Sequence, residues 1–420
     1  MAMRGALLAV AALLRDCRGQ QTTVLTVGGL FPTSQGDATN EDFNDDRRQA
    51  EAALAAINAV NADASVLPGV QLAFLAQDIA ALRTLNSNSE NFFQRQMAEE
   101  VAGDIAAVFQ QADAVGVVGA GWSSDVKVLA PALGSLPLVS HSASASVLSN
   151  ATLYPNFART IPSDGAQSVS LADAVRFFGW SRIGVISCDD LYCRGLANGV
   201  REELSGSEFT VSFEHEVGQF LSEGEAEGAI SNVVAKMEQQ CEGNEDETGV
   251  VLLITHQVET LMGLANANTN LRVAWLGSES VGNLPTFGYP EATNSGMMAL
   301  RIGGVDESHA HWVSLTGSMP QASDDMYCLN VYDAVWSLAH ALDATMSAAA
   351  PGERWWNNTA AIMSSIRQVT FEGASGDVRF DANEDRVGTY DIVQCKCRSS
   401  AVLGCVSLTE AAVQILMVSG

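Results

Sequence analysis

The chain has 420 residues, which at about 150 residues per domain points to two or three domains. Its 22 Lys and Arg stand against 49 Asp and Glu, and the resulting formal charge of −27 excludes nucleic-acid binding and electrostatic docking on anionic lipid. With 47% hydrophobic and 17% charged residues, intrinsic disorder is excluded too.

In chain order, Met1-Ala-Met-Arg4 precedes an apolar stretch from Gly5 to Leu14. One positive charge before a short apolar run has the form of a secretory signal peptide, assigned to residues 1–19; a simple tail is the alternative. Strand-like runs follow at Val24–Leu30, Val70–Leu75, Ala114–Gly119, Leu138–His141, Arg182–Ser187, Val250–Thr255 and Arg272–Gly277. Their nearly unbroken Val, Ile and Leu content predicts strands buried on both faces, as in a parallel sheet. Between them lie helical stretches. Asp45–Asn61 puts Ala53, Ile57 and Val60 on one face, Asp164–Phe178 opens after Ser163 as N-cap, and Met326–Met346 carries a Val331, Val335, Leu338 and Leu342 stripe. The alternation predicts an α/β protein built from doubly wound sheets. One group of strands ends near His141 and a second begins near Arg182, so two similar sheets are expected. Acidic stretches at Glu223–Glu227 and Glu242–Glu247 read as solvated surface.

No uninterrupted apolar run reaches the ~18–20 residues of a membrane span, and Ala401–Gly420 carries Glu410 and Gln414. The chain is therefore expected to be secreted, or to be the outer part of a receptor whose membrane region is not in it. Cysteines stand at 17, 188, 193, 241, 328, 395, 397 and 405, with Cys188 and Cys193 as the expected local disulfide. Two glycosylation sequons, at Asn150 and Asn357, agree with an oxidising compartment. Cys395 and Cys397 have no second ligand pair at zinc spacing.

Catalytic signatures are missing: there is no phosphate-binding Gly-rich loop with Lys, no His-Glu-x-x-His and no Gly-x-Ser-x-Gly. Gly119-Ala-Gly121 lacks the third glycine of a dinucleotide site, and His309-x-His311 near Asp306 and Glu307 reads as an ordinary loop. The expectation is a non-enzyme with no cofactor and no metal. What remains is Gly119-Ala-Gly-Trp122-Ser123-Ser124-Asp125, where a strand ends and a helix covering Val126–Leu133 opens. Helix-start N–H groups and two hydroxyls form a receptor for a small carboxylate, unless Ser123 or Ser124 only caps the helix.

Gly28-Gly-Leu-Phe-Pro32, Ala56-Ile-Asn58 with Leu67-Pro-Gly69, and Leu136-Pro-Leu-Val-Ser-His-Ser-Ala-Ser144 resemble the type I periplasmic-binding-protein fold used by receptor ligand-binding regions. The order continues through Phe157-Ala-Arg-Thr-Ile-Pro-Ser-Asp164, Asp189-Asp-Leu-Tyr192, Tyr332-Asp-Ala-Val-Trp336 and Phe371-Glu-Gly-Ala-Ser-Gly376. The resemblance covers about residues 23–394 and is to the extracellular domains of metabotropic glutamate and GABA-B receptors in particular; natriuretic-peptide receptor domains share much of it.

It implies a two-lobed clamshell, with lobe 1 at 22–159 and 285–372, lobe 2 at 160–284 and 373–394, and a tail at 395–420. A small amino acid or analogue would bind in the inter-lobe cleft and signal by lobe closure. By resemblance, Ser123 grips the α-carboxylate, Ser142 and Ser144 contact carboxylate and ammonium, Tyr192 covers the ligand, and Glu279 faces the ammonium. Trp122 stands where relatives often carry a small residue, so it narrows the pocket or stacks on the ligand. Dimerisation through lobe 1 helices, over Phe92–Val108 and Val126–Leu133, is implied as well. The rival expectations are the peptide-sensing or dimerisation domain of a receptor guanylate cyclase, and a secreted protein delivering solute to a transporter.

Overall fold

The computed structural model of the chain describes residues 14–15, 21–34, 41–86, 92–205, 210–218, 249–255, 273–282, 297–398 and 402–407, with Asn232 and Lys236 besides. All seven strand-like runs of the sequence are strands. The first sheet contains β1 (Leu14–Arg15), β2 (Gln21–Phe31), β3 (Val70–Asp78), β4 (Ala114–Gly119), β5 (Leu138–Ser140) and β6 (Phe157–Arg159). Strand β2 pairs in parallel with β3 and β4, and β5 links β4 to β6 in parallel; only β1 runs antiparallel, against the start of β2. The second sheet has the order β15-β14-β11-β10-β9-β7-β8. Its members are β7 (Arg182–Cys188), β8 (Thr210–Val217), β9 (Gly249–Ile254), β10 (Val273–Gly277), β11 (Met298–Ile302), β14 (Tyr390–Arg398) and β15 (Val402–Ser407). Strands β7 to β11 pair in parallel, and β14 and β15 run antiparallel. A small ribbon, β12 (Thr370–Gly373) with β13 (Gly376–Arg379), completes the strands.

Helices cover the sheets because their strands are apolar on both faces. In the first unit these are α1 (Glu41–Ala62), α2 (Ala80–Asn86), α3 (Phe92–Gln111), α4 (Ser123–Leu133), α8 (Ala310–Ser318), α9 (Met326–Ala348) and α10 (Thr359–Ile366). In the second they are α5 (Asp164–Phe178), α6 (Leu191–Glu203) and the single turn α7 (Glu279–Gly282). Helix α9 lies directly on β4: a Cβ at Gly116 would come within 2.8 Å of the Leu338 methyls, so a larger residue there would require Leu338 to move. Helix α1 starts at Glu41, four residues before the sequence pattern does. Ser163 does precede α5 with extended backbone, but its side chain makes no capping hydrogen bond.

The chain divides into two compact units. Unit 1 is Met1–Ser144, Leu148–Ile161 and Val305–Val387; unit 2 is Ala145–Val147, Pro162–Gly304 and Gly388–Gly420. The lobe limits read from the sequence differ from these at several places: Ala145–Val147, expected in lobe 1, falls in unit 2, and residues 160–161, expected in lobe 2, fall in unit 1. Residues 298–302, expected in lobe 1, pair with β10 and β14 and so belong to the second sheet. Residues 373–387, expected in lobe 2, stay with unit 1. There the buried Asp333 carboxylate of α9 accepts the N–H groups of Ala374 (2.7 Å) and Ser375 (2.9 Å). The segment expected as a tail is in part a hairpin, since Cys395 pairs with Cys405 across β14 and β15. Among the described residues, no helix is long and apolar enough to cross a membrane.

Candidate functional site

In unit 1 the predicted residues gather at the C-terminal ends of β4 and β5, the end at which parallel α/β sheets present ligand sites. Beyond β4, Gly119 and Ala120 both take positive φ, 106° and 53°, and the Ala120 N–H donates to the Leu30 carbonyl at 2.8 Å. This turn delivers the chain into α4, whose first residue is Ser123. The N-cap position belongs to Trp122, which makes no side-chain capping bond, so neither serine acts as the cap. Ser123 is therefore buried in the first turn, at the positive end of the helix dipole. Ser142 and Ser144 follow β5. The half-buried Ser142 hydroxyl donates to the Gly121 carbonyl at 3.0 Å, and Ser144 is buried. A Cβ at Gly121 would stand 2.7 Å from that hydroxyl oxygen, so the two turns touch at a glycine.

Behind them lies a polar layer that the sequence motifs did not reveal. The Arg83 guanidinium sits 4.5 Å from the Trp122 ring centroid and pairs with Asp46 at 2.5 Å. His141, wholly buried, meets the Gln49 side-chain oxygen at 2.7 Å through Nε2. Burial, and then the Arg83 charge, push its pKa down to about 3, so the ring is neutral. No spacing links Asp46, Gln49, Arg83 and His141. Three different segments, α1, α2 and the turn after β5, bring them together.

In unit 2 a second cluster forms at the ends of β7, β9 and β10. Tyr192 lies in the first turn of α6 and is buried; its hydroxyl meets the Ser280 oxygen at 3.2 Å and the Gln167 side-chain oxygen at 3.5 Å. Glu279 opens α7 with only 2% exposure, and its N–H donates to the same Gln167 oxygen at 2.9 Å. Gln167 in turn donates to Asp164, a second buried carboxylate, at 3.4 Å. Ser278 and Ser280 share a hydrogen bond of 2.9 Å. Burial first, then the charges of Glu279 and Asp164, hold the Tyr192 phenol well above its ordinary pKa, against the lowering effect of Ser278 and Ser280. Tyr192 and Glu279 are thus brought together in this unit, and Ser123, Ser142, Ser144 and Trp122 in the other. Gln167, which joins Asp164 to Glu279, was missed. Its sole sequence signal is its place one turn after Asp164 at a helix start.

Cys188 and Cys193 form a disulfide, as expected. Among the described residues the one group of three potential metal ligands is Cys188, Asp190 and Cys193, and the bridge consumes both of its sulfurs. His309 caps α8, accepting the His311 N–H on Nδ1 at 3.4 Å. The His311 ring packs 4.4 Å from Trp336, and burial is the first cause of its pKa of about 4. Asn150 and Asn357 are both exposed.

A family model described as the receptor family ligand binding region matches residues 48–397. The chain is 27% identical over 382 residues to glutamate receptor 3.1 of Oryza sativa subsp. japonica, covering 83% of this chain and 38% of that protein. It is 26% identical over 445 residues to metabotropic glutamate receptor 6 of Rattus norvegicus, covering 88% of this chain and 50% of that one. To the extracellular calcium-sensing receptor of Homo sapiens it is 28% identical over 245 residues, 53% of this chain and 23% of the receptor. The chain spans at most half the length of these relatives. Two helix-flanked, mostly parallel sheets and a family match over most of the sequence lead to one conclusion: this chain belongs to the receptor family ligand-binding region.

Proposed function

We propose that the chain binds a small α-amino acid or close analogue as the extracellular part of a receptor, and signals by closure of its two lobes. The observation that carries this reading is the complementary chemistry of the two clusters. Unit 1 presents hydroxyls at the start of α4, suited to a carboxylate, whereas unit 2 buries Asp164 and Glu279, suited to an ammonium. A zwitterion needs both, and each charge-assisted hydrogen bond contributes ~1.5–3 kcal/mol. Ser123 grips the carboxylate, and Ser142 exchanges its Gly121 acceptor for it. Ser144 supports the ammonium end with Glu279, Tyr192 covers the ligand, and Trp122 walls the carboxylate end. A ligand that engages both units shifts an open–closed equilibrium toward closed.

The setting proposed is the cell surface, with the membrane region outside this sequence and glycans on Asn150 and Asn357. The Cys188–Cys193 disulfide supports an oxidising compartment. Dimerisation is proposed through α3 and α4; the exposed Phe93 and Met97 of α3 support that face.

Thermal unfolding of the chain against the common amino acids tests the reading. A ligand at 100 times its Kd stabilises by about 2.7 kcal/mol, a shift of a few degrees. The shift should appear with a restricted set of amino acids and vanish in Ser123→Ala. A folded chain that responds to none would overturn the amino-acid reading and favour peptide sensing or dimerisation. Light scattering that shows a monomer at micromolar concentration would count against the dimer.

A further inference from the structure

The Cys188–Cys193 bridge joins the last residue of β7 to the first turn of α6, five residues on, and both cysteines are fully buried. A cross-link closing so short a loop removes less unfolded-state entropy than a long one, so its main effect is local. Cys193 is held twice: by its sulfur, and by its N–H, which donates to the Asp190 carboxylate at 2.7 Å. Tyr192 directly precedes this doubly fixed residue. Its hydroxyl reaches Ser280 and Gln167 in the acidic cluster, while Gln167 also receives the Glu279 N–H. A phenol surrounded by buried carboxylates and hydroxyls keeps that place only if its backbone cannot turn away.

We propose that the disulfide is a positioning device for Tyr192, so that the ligand response of the unit 2 cluster depends on the oxidised bridge. The ligand part rests on the amino-acid reading above; the placement of Tyr192 does not. Cys188 and Cys193 act through Tyr192 and touch no ligand themselves.

The test compares the whole chain with a Cys188→Ala, Cys193→Ala double variant. Titration of phenol absorbance, taken as the difference between each chain and its Tyr192→Phe counterpart, isolates Tyr192. In the bridged chain Tyr192 should stay protonated far above the ordinary value of about 10, and in the unbridged chain it should move back toward it. Nitration of Tyr192 by tetranitromethane should rise at least tenfold without the bridge, while Tyr154 and Tyr332 are unchanged and the unfolding midpoint stays close to that of the bridged chain. Equal protection of Tyr192 in both chains would overturn the proposal.

If the double variant does not fold, the bridged chain is reduced in mild denaturant with a water-soluble phosphine and refolded. The S–S bond becomes two thiols, and the phosphine takes an oxygen from water as it is oxidised. Hydrogen exchange over residues 189–203 should then quicken relative to α5. Unchanged exchange would overturn the proposal, and so would failure of both unbridged forms to fold, because the bridge would then serve the whole fold. In the amino-acid panel, the double variant should lose at least tenfold in affinity for any amino acid that shifts the bridged chain. A bridged chain that answers to none counts against the amino-acid reading, and Tyr192 titration still decides the bridge.

Discussion

His141 carries a pH consequence that falls in the mildly acidic range. Unfolded, its imidazole titrates near the ordinary 6.5; folded, burial and the Arg83 charge hold it at about 3. Between those values the unfolded chain binds a proton that the folded chain does not. Stability therefore falls as pH falls below about 6.5, by up to about 1.4 kcal/mol per pH unit from this group. His311, held at about 4, adds a loss of the same sign, so the diagnostic quantity is a difference between chains. Urea unfolding at pH 7 and pH 5 should show a loss in the natural chain that is about 2 kcal/mol smaller in His141→Gln, whose amide can still donate to Gln49. Equal losses would show that His141 is not the group responsible. Arg159 illustrates a different kind of buried residue: fully enclosed, it pairs with Asp385 at 2.7 Å and donates to the Ser149 hydroxyl and the Ala143 carbonyl.

At the scale of elements, the turn from β4 into α4 governs where the unit 1 cluster stands. Gly119 has φ 106°, and a Cβ there would lie 2.5 Å from the Leu30 carbonyl oxygen, a clash with backbone that no rotamer relieves. Gly119→Ala should therefore cost about 1–3 kcal/mol and displace Trp122 and Ser123 with the helix start. A urea midpoint unchanged from the natural chain would refute this. The sequence pattern placed the start of α4 three residues late, because Trp-Ser-Ser-Asp carries no apolar periodicity and a capping serine was the simpler reading. Strand β8, Thr-Val-Ser-Phe-Glu-His-Glu-Val, was passed over for a related reason: it is a sheet edge and alternates polar with apolar residues, unlike the continuous apolar runs of the inner strands.

For the whole molecule, the chain passes between units at Ile161–Pro162, Gly304–Val305 and Val387–Gly388, besides the three residues Ala145–Val147 that group with unit 2. Each unit has its own sheet and its own buried core, the condition for separate cooperative unfolding. Calorimetry without ligand should resolve two transitions, and an amino acid that engages both units should raise and merge them. A single transition in the unliganded chain would show that the units unfold as one.

Periodicity and residue type by themselves determined the α/β class, seven of the parallel strands and three of the long helices, because burial on both faces writes continuous apolar runs into a sequence. The ordered motifs determined the family. Which residues share a site was decided only by the tertiary structure. Asp164, Gln167, Tyr192 and Glu279 come from three separate elements and meet because parallel strands end at one edge of a sheet. The limits of the units were likewise tertiary, since Met298–Ile302 declares its sheet only by pairing with β10 and β14. Local patterns record how a segment is buried; they carry no record of which distant segment buries it.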